Sequence, residues 1–154
     1  MAPPDADLGA RIAAIEDRFA LHDLLSGYAR GLDLVDADLL GRVLAEDVRF
    51  VHGVVAPPVV GRAAVVGLIE HFAPRWRLAR HHVSNVEVAL DGDRAVVRAL
   101  LVALHDAELD GAHALVTAGA DYEFTAARTA GGWQFTELVV HETWADPRIP
   151  RLYA

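Results

Sequence analysis

The chain has 154 residues, of which 53% are hydrophobic and 23% charged, and its formal net charge is -8. This length and composition predict one globular domain whose core is large enough to enclose a pocket, and they exclude a fibrous repeat. The acidic excess argues against nucleic acid and anionic membrane as partners, because both attract a basic surface.

Missing residue types narrow the chemistry further. The sequence contains no Cys and no Lys, which excludes thiolate nucleophiles, Schiff-base amines and P-loop lysines. Eight His and 22 acidic residues remain as the main titratable groups, which favours proton transfer. No His-x-x-x-His or His-Glu-x-x-His pair occurs, so we expect neither a metal nor another cofactor.

The chain ends suggest where the domain lies. Residues 1–7 carry two prolines and no basic or apolar segment typical of a signal peptide, so they predict a flexible leader. Residues 8–144 form the predicted domain. Residues 145–154, which include Pro147 and Pro150, are predicted to form a C-terminal arm. With no apolar run long enough to span a membrane, we expect a soluble cytoplasmic protein. Heavy use of Ala and Arg without Lys suggests a bacterial source.

The first half of the chain has helical periodicity. Apolar residues at three- and four-residue steps predict an amphipathic helix from Leu8 that is ended by Gly31. Two shorter helices are predicted at Asp36–Leu44 and Arg62–Phe72. Between them, Val48–Val54 predicts a short strand, followed by a proline-containing bend or edge.

The second half of the chain has strand patterns separated by glycine-containing turns. The four predicted strands are Arg80–Leu90, Arg94–His105, Ala112–Ala126 and Gly132–Thr143. Helices followed by a meander of long strands predict an α+β domain, with the helices packed on one face of a curved antiparallel sheet.

Side-chain alternation along these strands sorts the histidines between the two faces of the sheet. His82 shares its face with the more apolar set, including Val86 and Val88, whereas His81 falls on the opposite face. His82 is therefore predicted to point inward. On the next strand, His105 lies on a face that is otherwise apolar, so it is predicted to point inward as well.

Small side chains dominate one face of the third long strand. That face includes Ala118, Ala120 and Tyr122. A face of alanines leaves volume that a ligand can occupy, or that side chains from the helices can fill.

Asp33 follows the first predicted helix. The simplest role for an acidic residue here is to cap the second helix, but Asp36 and Asp38 are nearer to its start. Asp33 is thus free to face the sheet, where a carboxylate can orient an imidazole that acts as a base. The pattern favours an Asp33 and His82 pair, although an inward His can equally be a hydrogen-bonded core residue.

Several motifs resemble a known family over about residues 8–144. They are Leu24-Leu25-x-x-Tyr28-Ala29-x-x-Leu32-Asp33, His81-His82-x-x-Asn85 followed by Asp91-Gly92-Asp93, and Gly132-Trp133-x-Phe135. They look like the SnoaL-like branch of the nuclear transport factor 2-like superfamily. That resemblance implies a cone-like α+β barrel, in which three N-terminal helices pack on a strongly curved mixed or antiparallel sheet.

The resemblance also implies a set of site residues. The pattern is similar to that of scytalone dehydratase and hexachlorocyclohexane dehydrochlorinase, which implies catalytic roles for Asp33, His82 and His105. His52 stands where a water-holding tyrosine is found in the dehydratase, and Leu32 replaces its other tyrosine. The candidate substrate-binding residues are Tyr28, His52 and Tyr122.

These residues predict a cofactor-independent lyase or isomerase, dehydratase-like, that removes a proton from a small, apolar, cyclic substrate. One alternative is a polyketide-type cyclase or hydrolase in the same pocket, in which Asp33 acts on an enolate or a water. Another is a non-catalytic small-molecule-binding or assembly module.

The expected partners are a small hydrophobic molecule and a second copy of the chain. Leu100, Val102 and Leu104 are predicted to lie on the outer face of the sheet, where water would contact them in a monomer. A homodimer through that face is therefore expected.

Overall fold

The computed structural model describes residues 8–53, 55–109 and 111–149. These residues form three helices, which are α1 (Leu8–Leu34), α2 (Ala37–Val43) and α3 (Arg62–Phe72), and a 3₁₀ turn at Ala73–Arg75. They also form six strands: β1 (Leu44–His52), β2 (Val55–Val60), β3 (Trp76–Asp91), β4 (Arg94–Leu109), β5 (Ala112–Thr129) and β6 (Gly132–Ala145). The predicted leader at residues 1–7, residues 150–154 of the predicted arm, Val54 and Asp110 lie outside the described residues.

The strands form one mixed sheet in the order β2-β1-β6-β5-β4-β3. β1 and β6 pair in parallel, whereas every other neighbouring pair is antiparallel. The core lies between this sheet and the helices, and its largest fully buried side chains include Phe124, Phe135 and Leu21. The predicted α+β architecture is therefore confirmed. None of the helices in the described ranges is long and apolar enough to cross a membrane.

One edge of the sheet differs from the prediction. The segment predicted as a bend or edge forms the edge strand β2, which pairs with β1 through Phe50 and Val59. Pro57 and Pro58 fit there because an edge strand has one row of backbone groups without a sheet partner. β1 itself begins at Leu44, earlier than the predicted Val48.

The first helix continues past its predicted end. Gly31 does not terminate α1, and the left-handed residue that does is Val35, with φ of 52°. The Asp36 amide donates to the Gly31 carbonyl (3.0 Å) and the Val35 amide to the Leu32 carbonyl (3.3 Å), which is the Schellman pattern. Asp33 therefore lies in the last turn of α1 and not beyond it, while Asp36 caps α2 by accepting from the Leu39 amide at 2.8 Å.

A polar contact holds the middle of α1 against the β5–β6 hairpin. Asp17 accepts hydrogen bonds from the Trp133 indole (3.1 Å) and from the Arg128 guanidinium (2.6 Å). The Arg128 hydrogen bond is the largest cause of the lowered pKa of Asp17. In its N-terminal half, α1 exposes an apolar stripe formed by Leu8, Ile12, Ile15 and Phe19.

The close approach of α1 and α2 explains the glycine at position 31. A Cβ built at Gly31 would lie 2.8 Å from two atoms of the Leu40 side chain, which is 1% exposed. At Gly41, by contrast, a Cβ would meet nothing within 4 Å. Gly31 is thus required for helix packing, two residues before the carboxylate of interest.

Gly31→Ala should lower the free energy of unfolding by about 1–2 kcal/mol, because the overpacking at Leu40 exceeds the gain in helix propensity. Gly41→Ala is the matched control and should raise it by up to about 1 kcal/mol. Urea unfolding followed by circular dichroism measures both. A stabilised Gly31→Ala variant would contradict the packing argument.

The outer face of the sheet carries the residues expected to support a dimer. Leu100 and Val102 are 44% and 43% exposed, and Leu104 is half-buried. On the same face, the Trp144 ring lies directly over Gly119, where a Cβ would come within 2.4 Å of the indole Cε2. Dimerisation through this face stays a prediction.

Sedimentation equilibrium tests the dimer directly. The wild-type chain should sediment at about twice its 16.6 kDa mass. Val102→Asp should sediment as a monomer, because a carboxylate would be desolvated in the interface. Val60→Asp places the same charge on β2 and should leave the mass unchanged. A monomeric wild type would exclude the dimer.

Candidate active site

A carboxylate from α1 and an imidazole from β3 form the central pair of the site. One oxygen of Asp33, Oδ1, accepts hydrogen bonds from the backbone amide of His81 (2.9 Å) and from its ring Nδ1 (2.8 Å). The two side chains are 17% and 14% exposed. Because a carboxylate only accepts, Nδ1 of His81 carries a hydrogen, and Nε2 of the neutral ring keeps its lone pair.

The prediction that His82 points inward is wrong. His82 is exposed, and its neighbour His81 lines the cavity and meets Asp33. Side chains alternate regularly from Ala79 to Ser84, but a bulge after Ser84 changes the face on which the later residues of β3 lie.

The bulge lies at Asn85, whose φ of 53° is in the left-handed region. Ser84 pairs with Leu100 and Glu87 with Arg98, so two β3 residues face the single residue between them on β4. This extra residue reverses the faces of the strand. Val86, Val88 and Leu90 do pack on the core, but before the bulge the inward residues are Ala79, His81 and Val83. The asparagine itself was the available signal, because Asn adopts this conformation more readily than most residues.

His105 lies beside this pair, as the sequence predicted. It is 7% exposed, and its ring centroid is 4.8 Å from the Trp76 ring and 5.7 Å from that of His81. Its buried Nδ1 has no hydrogen-bond partner among the described residues. Burial is the largest cause that lowers the pKa of His105 to about 4; the His81 charge acts in the same direction, and Asp33 opposes both effects. The ring is therefore neutral at physiological pH.

These histidines line an apolar cavity of about 130 Å³. A cavity of about 150 Å³ is known to accommodate benzene, so this volume suits a molecule with one ring. The small residues Ala103, Ala118 and Ala120 form part of the wall, as expected for a pocket. The helix side chains cover the space without filling it.

The wall opposite the sheet comes from α3 and from the turn after β6. Val65, Leu68, Ile69 and Phe72 project from α3, and the buried Ile149 follows β6. This apolar cover limits the access of water to the histidines, which strengthens the polar interactions inside the cavity.

Two tyrosines form part of the wall. Tyr28 of α1 is 2% exposed, and its ring lies 6.3 Å from that of Tyr122 on β5 in an edge-to-face arrangement. Burial raises the pKa of Tyr28, so its hydroxyl remains protonated. Both residues line the cavity, and their role in substrate binding stays a prediction.

A second ionisable pair, His52 and Glu142, lies on β1 and β6. The sequence predicted His52 as a site residue, and both side chains line the cavity. Burial lowers the pKa of His52, while the nearby carboxylate of Glu142 opposes that effect. Sequence reasoning missed Glu142, although it is in phase with the core residues Leu138 and Val140.

Asp33 is not one of the described residues that line the cavity. Its contact with the site is made through His81. Among residues 8–53, 55–109 and 111–149, no group of three or more His, Asp or Glu side chains is placed to hold a metal ion.

The family follows from comparison with known proteins. Residues 13–139 match the SnoaL-like domain, and the chain belongs to that family. Solved structures share the α+β fold that the sequence motifs indicated. No significant match is found among curated proteins.

Solved structures share this fold. The Kfla4162 protein from Kribbella flavida superposes with a TM-score of 0.83 at 23% identity, over 92% of this chain and 99% of that one. A provisionally assigned scytalone dehydratase from Novosphingobium aromaticivorans superposes with a TM-score of 0.77 at 21% identity, over 86% of this chain and 88% of that one. The hexachlorocyclohexane dehydrochlorinase LinA-type3 from Novosphingobium barchaimii has a TM-score of 0.77 at 21% identity, over 89% of this chain and 93% of that one. At these identities the likeness establishes the architecture.

The ring proton resonances of His105 should not titrate between about pH 8 and pH 5.5, because its pKa lies near 4 and not at the usual 6.5. Since the unfolded chain then binds this proton more tightly than the folded chain, His105 also makes the fold less stable as the pH falls from 6.5 towards 4. NMR titration measures the midpoint of the His105 ring resonances, and their loss in His105→Gln assigns them. A His105 midpoint above about pH 6 would contradict the burial argument.

Proposed function

We propose that this protein is a cofactor-independent lyase or isomerase in which His81, oriented by Asp33, removes a proton from a carbon atom of the substrate. The observation that carries the proposal is the pair of hydrogen bonds from His81 to Asp33 at the wall of an apolar cavity. They fix the ring orientation and the tautomer, so that Nε2 is the basic atom.

The chemistry balances without a redox partner. In an elimination, the C–H bond breaks, its proton moves to Nε2 of His81, and its electron pair forms a carbon–carbon double bond as the bond to the leaving oxygen breaks. The resulting imidazolium then gives its proton to that oxygen, which leaves as water and restores neutral His81. Return of the proton to a different carbon gives isomerisation instead, so the same pair supports both reactions.

His105 acts as a polar contact for the substrate and not as the proton source. Because its pKa is near 4, it is neutral at pH 7 and does not supply an imidazolium proton. Its Nδ1 has no partner in the described part of the chain, and such a buried polar atom gains when a ligand group binds to it. The tyrosine hydroxyls of Tyr28 and Tyr122 are further contacts for an oxygen atom that becomes negative.

The cavity supports a small, largely apolar, cyclic substrate. Its volume suits one ring, and most of its wall is aliphatic or aromatic. The dehydrochlorinase and the dehydratase named above share the fold, which makes elimination a suitable reaction class to test first.

The alternative cyclase or hydrolase chemistry requires Asp33 to act on the substrate or on a bound water. The geometry supports this less well, because Asp33 is engaged by His81 and does not line the cavity. A non-catalytic binding module would use the same cavity but would not need the oriented imidazole.

Adjacent histidines allow a sharply controlled test of the base. Nitrobenzisoxazole is a small neutral bicyclic probe that opens to a nitrile and a phenolate when a base removes its ring proton. His81→Gln should lower the rate of this opening by at least about 10², as expected for loss of a general base. His82→Gln, one residue away and exposed, should react within about twofold of wild type.

Asp33→Asn completes the series and should also slow the reaction, because an asparagine can present its amide to Nδ1 and favour the wrong tautomer. Stopped-flow absorbance measures the rates, and circular dichroism confirms that each variant is folded. Equal rates for His81→Gln and His82→Gln would overturn the assignment. A wild-type protein that binds the probe without accelerating its opening would favour the binding module.

A further inference from the structure

The cavity has a second polar end, which the proposed proton transfer does not use. His81 and His105 lie on the neighbouring strands β3 and β4, whereas Glu142 and His52 lie on β6 and β1. The two ends are separated by the apolar wall that includes Leu101, Ala118 and Ala120 on β4 and β5.

Sheet topology places Glu142 and His52 together. β1 and β6 run parallel, with His52 paired to Val140, and Glu142 follows Val140 by two residues. Residues two apart on a strand face the same side, and Val140, Glu142 and His52 all line the cavity. The effect of the Glu142 charge on His52 is a further sign that the two groups are close.

The distance between the two ends suits a small molecule. β3 and β6 are three strand spacings apart, about 14 Å along a flat sheet and less across a concave one. The side chains extend into this space from both ends. The cavity volume of about 130 Å³ suits a single ring that carries one small substituent at each end.

The charge of this second end defines which substituent fits. Glu142 is exposed where it borders the cavity, and an ionised carboxylate accepts hydrogen bonds but donates none. Among the described residues, no Arg lines the cavity. A ligand carboxylate or phosphate would meet a like charge there, whereas a hydroxyl or a protonated amine would find an acceptor.

We propose that Glu142 and His52 form a specificity subsite that binds a hydrogen-bond donor, a hydroxyl or an ammonium group, at the end of the ligand remote from His81. The substrate class that follows is a ring with polar groups at two opposite positions and no acidic group. The inference deepens the proposed function by naming the substrate class. Its test measures binding alone, so it succeeds or fails independently of proton transfer.

Four ligands that differ only at one position provide the test. All are phenols with a para substituent: para-cresol as the apolar reference, para-hydroxybenzyl alcohol, para-hydroxybenzylamine and para-hydroxybenzoate. Isothermal titration calorimetry measures each dissociation constant at neutral pH. The wild-type protein should bind the alcohol or the amine about tenfold more tightly than para-cresol and the benzoate about tenfold more weakly. If only the alcohol binds more tightly than para-cresol, the subsite binds a hydroxyl group. If only the amine does, the subsite binds a cation.

Glu142→Gln removes the charge at nearly constant volume. It should reduce the preference for the amine over para-cresol by about tenfold and relax the discrimination against the benzoate by a similar factor. Glu70→Gln makes the same change at an exposed position on α3 and is the matched control. It should leave all four dissociation constants within about twofold.

Three results would overturn the proposal. The first is binding of the benzoate as tightly as the alcohol and the amine, and the second is the same response from Glu142→Gln and Glu70→Gln. The third is binding of none of the four phenols to a protein that still binds nitrobenzisoxazole. None of these three results bears on the proposed base, because the rates of nitrobenzisoxazole opening by the His81 and His82 variants test that role separately.

Discussion

One carboxylate oxygen connects the helical layer to the sheet at the position where chemistry is expected. Oδ1 of Asp33 accepts from both the backbone and the ring of His81, so the end of α1 and the strand β3 are fixed to each other by the same atom. The backbone bond sets where the strand lies, and the ring bond sets how the imidazole is turned. The position of β3 and the orientation of the imidazole therefore depend on a single geometry, and the Schellman end of α1 holds the carboxylate in it.

Much of the fold could be predicted because its signals are local. Periodicity located the three helices and the four long strands, and the motifs identified the family that the comparison confirmed. The position of His105 also followed from simple alternation, because β4 keeps its inward residues in phase from Ala95 to His105. The alanines at positions 118 and 120, for which the sequence left a ligand volume and filling by helix side chains both open, line the cavity.

The errors arose where local conformation breaks a regular pattern. The left-handed Asn85 forms a bulge that adds one residue to β3. The residues before the bulge therefore face the opposite side from the one that regular alternation predicts, and His81, not His82, meets Asp33. A left-handed Val35 ends α1 where glycine is the usual residue, and a β-branched side chain gives no sequence signal for that conformation. Glu142 was missed because a single carboxylate among apolar strand residues has meaning only when the cavity is known.

The tandem of histidines in β3 gives the site a form of redundancy. β3 is an edge strand, so the insertion or deletion of one residue between its first half and the bulge at Asn85 changes only the pairing of that half with β4 within the sheet. In most strands such an insertion or deletion would exchange a catalytic side chain for an inert neighbour. Here the insertion of one residue between His82 and the bulge would place His82 where His81 now faces the cavity, so one imidazole would replace another.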